Sequence, residues 1–202
     1  MSSLYFKYGT MEASKSANLL MTAHNYTKQD KRVLLLKPAV DTRNEYISSR
    51  IGISAKASVI DMNTNIFDLF IKENEEKKIS AVLVDEVQFF SVNHIKELAK
   101  IVDAYDVPVI TFGLKNSFVD GEVFEAVVEL LYQADNIEEI KSMCSCSSCT
   151  KKATHHLLIT NGRVVKDGSA ICVGDTEEET ITYYKSVCRK HYYAYANGDL
   201  YI

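Results

Sequence analysis

Two prolines in 202 residues, no low-complexity tract and no apolar run long enough for a bilayer describe an ordinary globular chain, 47% hydrophobic and 25% charged. There is no basic excess: 23 Lys and Arg stand against 27 Asp and Glu, for a net charge of -4. This argues against a dedicated nucleic-acid binder, whose electrostatic footprint is a basic face. The start Met1-Ser2-Ser3-Leu4 lacks a charged segment followed by an apolar one. Together with the missing span, that predicts a cytoplasmic protein with neither nucleic acid nor membrane as partner. Five cysteines are an odd number, and Cys144, Cys146 and Cys149 crowd together. That suits metal binding in a reducing compartment better than a disulfide framework.

Against these absences, one segment stands out. From Leu4 to Ser16 an aromatic and apolar strand-like run stops at Gly9 and delivers Lys15-Ser16 into a helical pattern. A phosphate-binding loop is Gly, four residues, Gly, Lys, Ser/Thr; here Ser14 occupies the second glycine position. Backbone N–H groups from Gly9 through Thr10, Met11, Glu12, Ala13 and Ser14 would cradle phosphates, Lys15 would add charge, and the Ser16 hydroxyl would reach Mg²⁺. A second run, Ile79 to Val84, is apolar and ends in Asp85-Glu86. Buried parallel strands read this way, and their C-terminal ends line the ligand crevice of an open α/β sheet. Alone, Asp85-Glu86 reads as a cap for a helix from Ser91. In one chain with the upstream loop, it reads as an Mg²⁺ ligand followed by a proton acceptor.

Further strands are expected at Val33 to Leu36, Ala57 to Ile60 and Val107 to Phe112, alternating with amphipathic helices, the last spanning Phe118 to Ala134. The fold class is therefore α/β: a parallel sheet flanked by helices over residues 1–142, followed by a small C-terminal module over 143–202. Turn signals at Asn161-Gly162 and Asp167-Gly168 mark the module as hairpin-rich. It holds Cys146-Ser-Ser-Cys149 and Cys188-Arg-Lys-His191, two pairs suited to tetrahedral Zn²⁺. Cys144 competes for a place in that set, while Cys172 sits in an apolar run and reads as core. His155 and His156 should project to opposite strand faces.

With these motifs in order, the chain resembles the thymidine kinase family that joins a P-loop domain to a zinc-bearing lasso domain. The likeness extends over nearly the whole chain. It includes Asp41-Thr42-Arg43, Ser49 to Gly52, Leu83 to Phe90, Gly113-Leu114, Lys151 to Thr154 and Ser186 to Tyr192. The resemblance implies ATP-dependent phosphorylation of thymidine at its 5′-hydroxyl, with Mg²⁺, a structural Zn²⁺ and a homotetramer. It assigns Glu86 as general base, Arg43 to the transferring phosphoryl group with Asp41 orienting it, and Lys15 to the donor phosphates. Ser16 and Asp85 would hold Mg²⁺. Met11, Phe89, Leu114, Phe118 and Tyr184 match positions around the thymine ring. The implied lasso is closed by zinc on Cys146, Cys149, Cys188 and His191.

Three segments depart from the family pattern: Ser14, Lys115-Asn116-Ser117, and the acidic stretch Val173 to Tyr184. A serine at a position that needs positive φ costs on the order of 1 kcal/mol. These departures motivate the alternative of a catalytically impaired nucleotide sensor or interaction protein. The intact Lys15, Ser16, Arg43, Asp85 and Glu86 argue against it. An ATPase-linked zinc-ribbon nucleic-acid binder is disfavoured by the acidic balance.

Overall fold

The computed structural model describes residues 1–40, 45–166 and 181–197. They form two compact units. The first comprises Met1–Tyr8, Ser14–Leu114 and Phe124–Glu139, and the second Gly9–Ala13, Lys115–Val123 and, so far as described, Ile140–Ile202. Two short earlier segments, Gly9–Ala13 and Lys115–Val123, group with the C-terminal part.

In the first unit the order is β1 (Leu4–Tyr8), α1 (Lys15–Thr27), β2 (Arg32–Pro38), β3 (Tyr46–Ser48), β4 (Ser54–Lys56), β5 (Ser58–Ile60), α2 (Ile66–Glu76), β6 (Ile79–Val84), α3 (Val92–Tyr105), β7 (Val109–Gly113), α4 (Glu125–Gln133) and β8 (Asn136–Glu139). Six strands make one parallel sheet in the order β5, β2, β6, β7, β1, β8. Ala81 to Val84 are fully buried because helices cover both faces, which is why β6 reads as unbroken apolar sequence. Right-handed crossovers run one way along the sheet through α1 and the other way through α2, α3 and α4, placing α1 on the opposite face. Accordingly α1 packs on β2, β6 and β7, while α3 packs on β7 and β1 with α2 and α4 beside it.

Phe6, Leu36, Ile66, Phe70, Leu83, Ile95, Leu98 and Ile101 fill the core of this unit. Each such side chain contributes roughly 1.5–3 kcal/mol by leaving water. Ser91 caps α3 through a reciprocal box: its side chain accepts from His94 N–H at 3.1 Å, and its own N–H donates to His94 Nδ1 at 3.2 Å. Asp85 and Glu86 are therefore not needed as a cap.

Two expectations need correction. The helix anticipated from Phe118 to Ala134 is helical only over Glu125–Gln133, because Gly121 turns the chain at φ +76°. Val127 and Leu130 are buried as foreseen, but Val123 and Leu131 are exposed. The edge strand β8 and the β3–β4 hairpin carry no apolar run and were not anticipated. No helix among the described residues is long and apolar enough to cross a membrane.

The second unit contains an antiparallel sheet of β9 (His155–Thr160), β10 (Arg163–Val165) and β11 (Thr182–Val187), then α5 (Arg189–Asn197). The β9–β10 turn uses Asn161 (φ 50°) and Gly162 (φ 74°), the paired left-handed residues of a two-residue hairpin. The second turn signal, Asp167-Gly168, lies outside the described residues, as does Cys172. Leu157, Ile159, Val187 and Tyr192 pack with Cys144, Cys146 and Cys188 in a small core.

Candidate active site and metal centre

The serine that departs from the phosphate-loop pattern holds a backbone conformation that glycine favours. Ser14 sits at φ 60°, ψ 29°, directly before α1, and makes no side-chain cap bond. Glu12 is also left-handed, at φ 64°. Two non-glycine residues in this region are a local strain of the kind that gathers at functional sites. Gly9 is required sterically: a Cβ there would stand 2.8 Å from Ala13 Cβ and 2.9 Å from the Ile140 carbonyl.

Lys15 opens α1 and is buried, and burial lowers its pKa against the opposing pull of Glu86 and Asp85. Asp85 directly follows β6, its N–H donating to the Leu36 carbonyl at 2.9 Å. Burial, and then the charge of Glu86, push the Asp85 carboxyl up to about 7, while a hydrogen bond from Ser16 pulls it down. Its Oδ1 is buried with no hydrogen-bond partner among the described residues. A buried, unpartnered carboxylate oxygen beside a hydroxyl fits a hard divalent cation that takes oxygen ligands. Ser16 and Asp85 thus stand together.

Glu86 is left-handed (φ 48°) and leads into a 3₁₀ turn, Val87–Phe89. Its Oε2 accepts from Gln88 Nε2 at 2.6 Å, and Gln88 Oε1 accepts from Leu114 N–H at 3.0 Å. Gln88 is buried, and Gly113 makes room for it: a Cβ on Gly113 would lie 2.6 Å from Gln88 Oε1. Sequence reasoning gave Gln88 no role. The signal that could have found it is a polar residue two positions after a candidate base, followed downstream by a strand-ending glycine.

The expected nucleoside-enclosing residues fall in both units. In the first, Leu114 is buried at the end of β7, and Phe89 packs edge-on against Phe124 with centroids 5.9 Å apart. In the second, Phe118 faces Tyr184 at 6.4 Å, and Tyr184 faces His156 at 5.9 Å. The Met11 carbonyl accepts from Ser186 Oγ at 2.5 Å, and the Phe118 carbonyl from the Tyr192 hydroxyl at 2.8 Å. Asp41, Arg43 and the link from Val173 to Thr180 lie outside the described residues.

Four metal-ligating side chains converge in the second unit: Cys144, Cys149, Cys188 and His191, with ligand atoms all within 4.8 Å of one another. His191 Nδ1 lies 3.3 Å from Cys144 Sγ and 3.4 Å from Cys188 Sγ, and Cys149 Sγ lies 4.0 Å from Cys188 Sγ. Tetrahedral zinc with Zn–S of about 2.3 Å and Zn–N of about 2.0–2.1 Å would separate its ligands by roughly 3.6–3.8 Å. Donor set and spacing both fit.

This set differs from the expected one at a single position. Cys144 takes the place given to Cys146, whose sulfur instead meets the Tyr195 hydroxyl at 3.8 Å. The physical reason is the hairpin in which Cys144 N–H donates to the Lys151 carbonyl at 2.9 Å and Met143 bridges Lys152, so that Cys144 and not Cys146 lies with Cys149. Burial alone would raise the Cys144 thiol, but N–H groups of Cys146 and Cys188 together with His191 and Cys149 bring it down to about 6. A thiolate so supported is ready for metal.

Comparison with known proteins agrees with this chemistry. The sequence model of the family described as thymidine kinase matches residues 2–192. The chain is similar to the thymidine kinase of Streptococcus gordonii, at 45% identity over 96% of this chain and 97% of that protein. It is similar also to that of enterobacteria phage T4, at 42% identity over 95% and 96% of the two chains. A third relative, from Streptococcus pyogenes serotype M3, is 45% identical over 96% and 98%.

Proposed function

The chain belongs to the thymidine kinase family, and on that premise we propose that it transfers the γ-phosphoryl group of ATP to the 5′-hydroxyl of thymidine. The observation that carries this reading is the grouping of Lys15, Ser16, Asp85 and Glu86 at the C-terminal edge of the sheet, where an open α/β fold places its ligands. Left-handed Ser14 ends the loop so that the first N–H groups of α1 remain available to phosphate oxygens. Lys15 neutralises donor charge from a desolvated position, where its field is less screened than in water. Ser16 and Asp85 would hold Mg²⁺, which supplies charge neutralisation at the β- and γ-phosphates.

Glu86 takes the proton of the acceptor hydroxyl. Gln88 holds its carboxylate in one orientation, which leaves the other oxygen for the substrate. Arg43, oriented by Asp41, is assigned by the family likeness to the charge on the transferring group. Met11, Phe89, Leu114, Phe118 and Tyr184 are assigned to the thymine ring on the same basis. Zinc on Cys144, Cys149, Cys188 and His191 would tie two hairpin ends to α5 and take no part in the chemistry, as suits a closed four-ligand site. A homotetramer in the cytoplasm completes the reading.

The test is direct. Purified protein with ATP and Mg²⁺ is offered each deoxynucleoside in turn, and monophosphate and ADP are measured. Thymidine should give the monophosphate with the highest kcat/KM. Binding of ATP and thymidine without product would favour a nucleotide sensor on the same scaffold.

A further inference from the structure

The loop from Gly9 to Ala13 groups with the second unit, and its polar contacts show why. The Met11 carbonyl accepts from Ser186 Oγ at 2.5 Å, and Thr10 Oγ1 lies 2.7 Å from Ser142 Oγ. Gly9 presses close to the Ile140 carbonyl, two residues before Ser142. Three successive loop residues are therefore held from outside the loop. They stand just before its two left-handed residues, Glu12 at φ 64° and Ser14 at φ 60°.

Such a conformation is strained for a residue with a side chain, and the strain persists only where the surroundings over-determine it. The two serines supply that restraint. A trans peptide is planar, so holding the Met11 carbonyl toward Ser186 fixes the Glu12 N–H toward the opposite side. A flip of this peptide would reverse both groups and take Glu12 out of its left-handed conformation.

Ser186 is itself firmly placed. It is buried and lies opposite His156 in the β9–β11 pairing, and its carbonyl accepts from the N–H and the hydroxyl of Ser145 at 2.9 and 2.7 Å. On β11 it shares a face with Tyr184, two residues before it. Ser142 is anchored through its carbonyl, which accepts from Ala153 N–H at 2.9 Å. Each serine stands two residues ahead of a converging thiol, Cys144 or Cys188. The framework behind the loop is thus the one a bound zinc would tie together.

From these contacts we infer that Ser186 and Ser142 are positioning residues for the donor site. Their hydroxyls hold Met11 and Thr10 so that the loop keeps the shape that receives the phosphates of ATP. This rests on the proposed kinase activity only in taking Gly9 to Ser16 as the donor-phosphate loop. Ser186 carries the larger share, because it holds a main-chain carbonyl directly whereas Ser142 holds a side chain.

Calorimetry with ATP and Mg²⁺ on the zinc-loaded, full-length protein measures the effect. Ser186→Ala should weaken ATP by about twofold to tenfold, the worth of one hydrogen bond, and Ser142→Ala by less. Ser142→Thr, which keeps the hydroxyl, should bind ATP as wild type does. In turnover, KM for ATP should rise in Ser186→Ala with kcat little changed, whereas a variant that merely unfolds a fraction of the molecules lowers kcat and leaves KM. Hydrogen exchange without ATP is a second measure. Amides 11–14 should exchange about tenfold faster in Ser186→Ala, while amides 156–164 and zinc content stay as in wild type.

Unchanged ATP affinity and loop exchange in Ser186→Ala overturn the inference. So does weakened ATP binding accompanied by lost zinc or faster exchange over 156–164, which would make the serine a support of the second unit and not of the loop. Ser142→Thr as weak as Ser142→Ala excludes the Ser142 hydroxyl as a restraint. Wild type that binds ATP but forms no thymidine monophosphate would refute the kinase activity and leave the positioning result standing on calorimetry. Wild type that binds no ATP overturns both.

Discussion

Gln88 donates to Glu86 at 2.6 Å and is itself held by Leu114 N–H at 3.0 Å, so one buried amide ties the Glu86 carboxylate to the residue that follows β7. The bond orients a carboxylate whose backbone is already left-handed. Replacing Gln88 by Met would free Glu86 to rotate and leave Leu114 N–H unsatisfied, at a cost of about 1–3 kcal/mol of stability.

Glu86→Gln and Gln88→Met should therefore separate in kinetics. With Glu86 as the proposed base, the first should lower kcat by about 10² to 10⁴-fold with ATP and thymidine still bound. The second should lower kcat by roughly tenfold to a hundredfold and lower the melting temperature too, as expected for a positioning residue. Steady-state kinetics with melting curves checks both. If Glu86→Gln keeps more than half of kcat while chemistry limits the rate, Glu86 is not the base.

Ser14→Gly tests the loop. Serine holds φ 60° there, which glycine adopts without steric cost. The variant should gain on the order of 1 kcal/mol of stability, offset in part by the greater freedom of glycine in the unfolded chain. KM for ATP should fall several-fold and KM for thymidine should change little. Denaturant unfolding and kinetics on this one variant are sufficient, and an unchanged ATP KM would mean that serine already fits.

The Asp85 carboxyl predicts a pH dependence with a definite sign. Its folded value, about 7, lies above the unfolded value, so the folded state holds the proton more tightly. This group's contribution is fully present below about pH 4 and is lost as pH rises through about 7, with a slope of at most about 1.4 kcal/mol per pH unit. Metal-free protein should therefore lose stability between pH 5 and 8, and the stabilisation from Mg²⁺ with ATP should grow over the same window. Asp85→Asn should flatten both trends. Melting temperatures at pH 6 and 8, with and without Mg²⁺ and ATP, provide the measurement.

How much of this was legible in the sequence depended on which interaction fixed each part. Apolar runs gave the central strands, because a strand buried on both faces must be apolar throughout, as Ala81 to Val84 are. Lys15, Ser16, Asp85 and Glu86 were visible because motif spacing constrains them along the chain. The helix start before Glu125 was not, since Val123 and Leu131 mimic a buried face that the fold leaves in solvent. Gln88 was hidden because its partners, Glu86 and Leu114, meet only in space. Cys144 and Cys146 are separated by one residue, and only the pairing of Cys144 with Lys151 distinguishes them.

That last distinction yields a discriminating pair of variants. If zinc is held by Cys144, Cys149, Cys188 and His191, Cys144→Ser should lose most of the metal, because a serine hydroxyl replaces the supported thiolate. Cys146→Ser should keep close to one zinc per chain, since its sulfur meets Tyr195 and stands outside the converging set. Loss of metal should loosen β9, β11 and α5 together, because apparent binding energy at such sites is also folding energy. Metal analysis of protein prepared without chelator, with hydrogen exchange across residues 155–197, reads both effects. Zinc kept in Cys144→Ser and lost in Cys146→Ser would restore the ligand set expected from spacing, and zinc absent from wild type would remove the metal centre altogether.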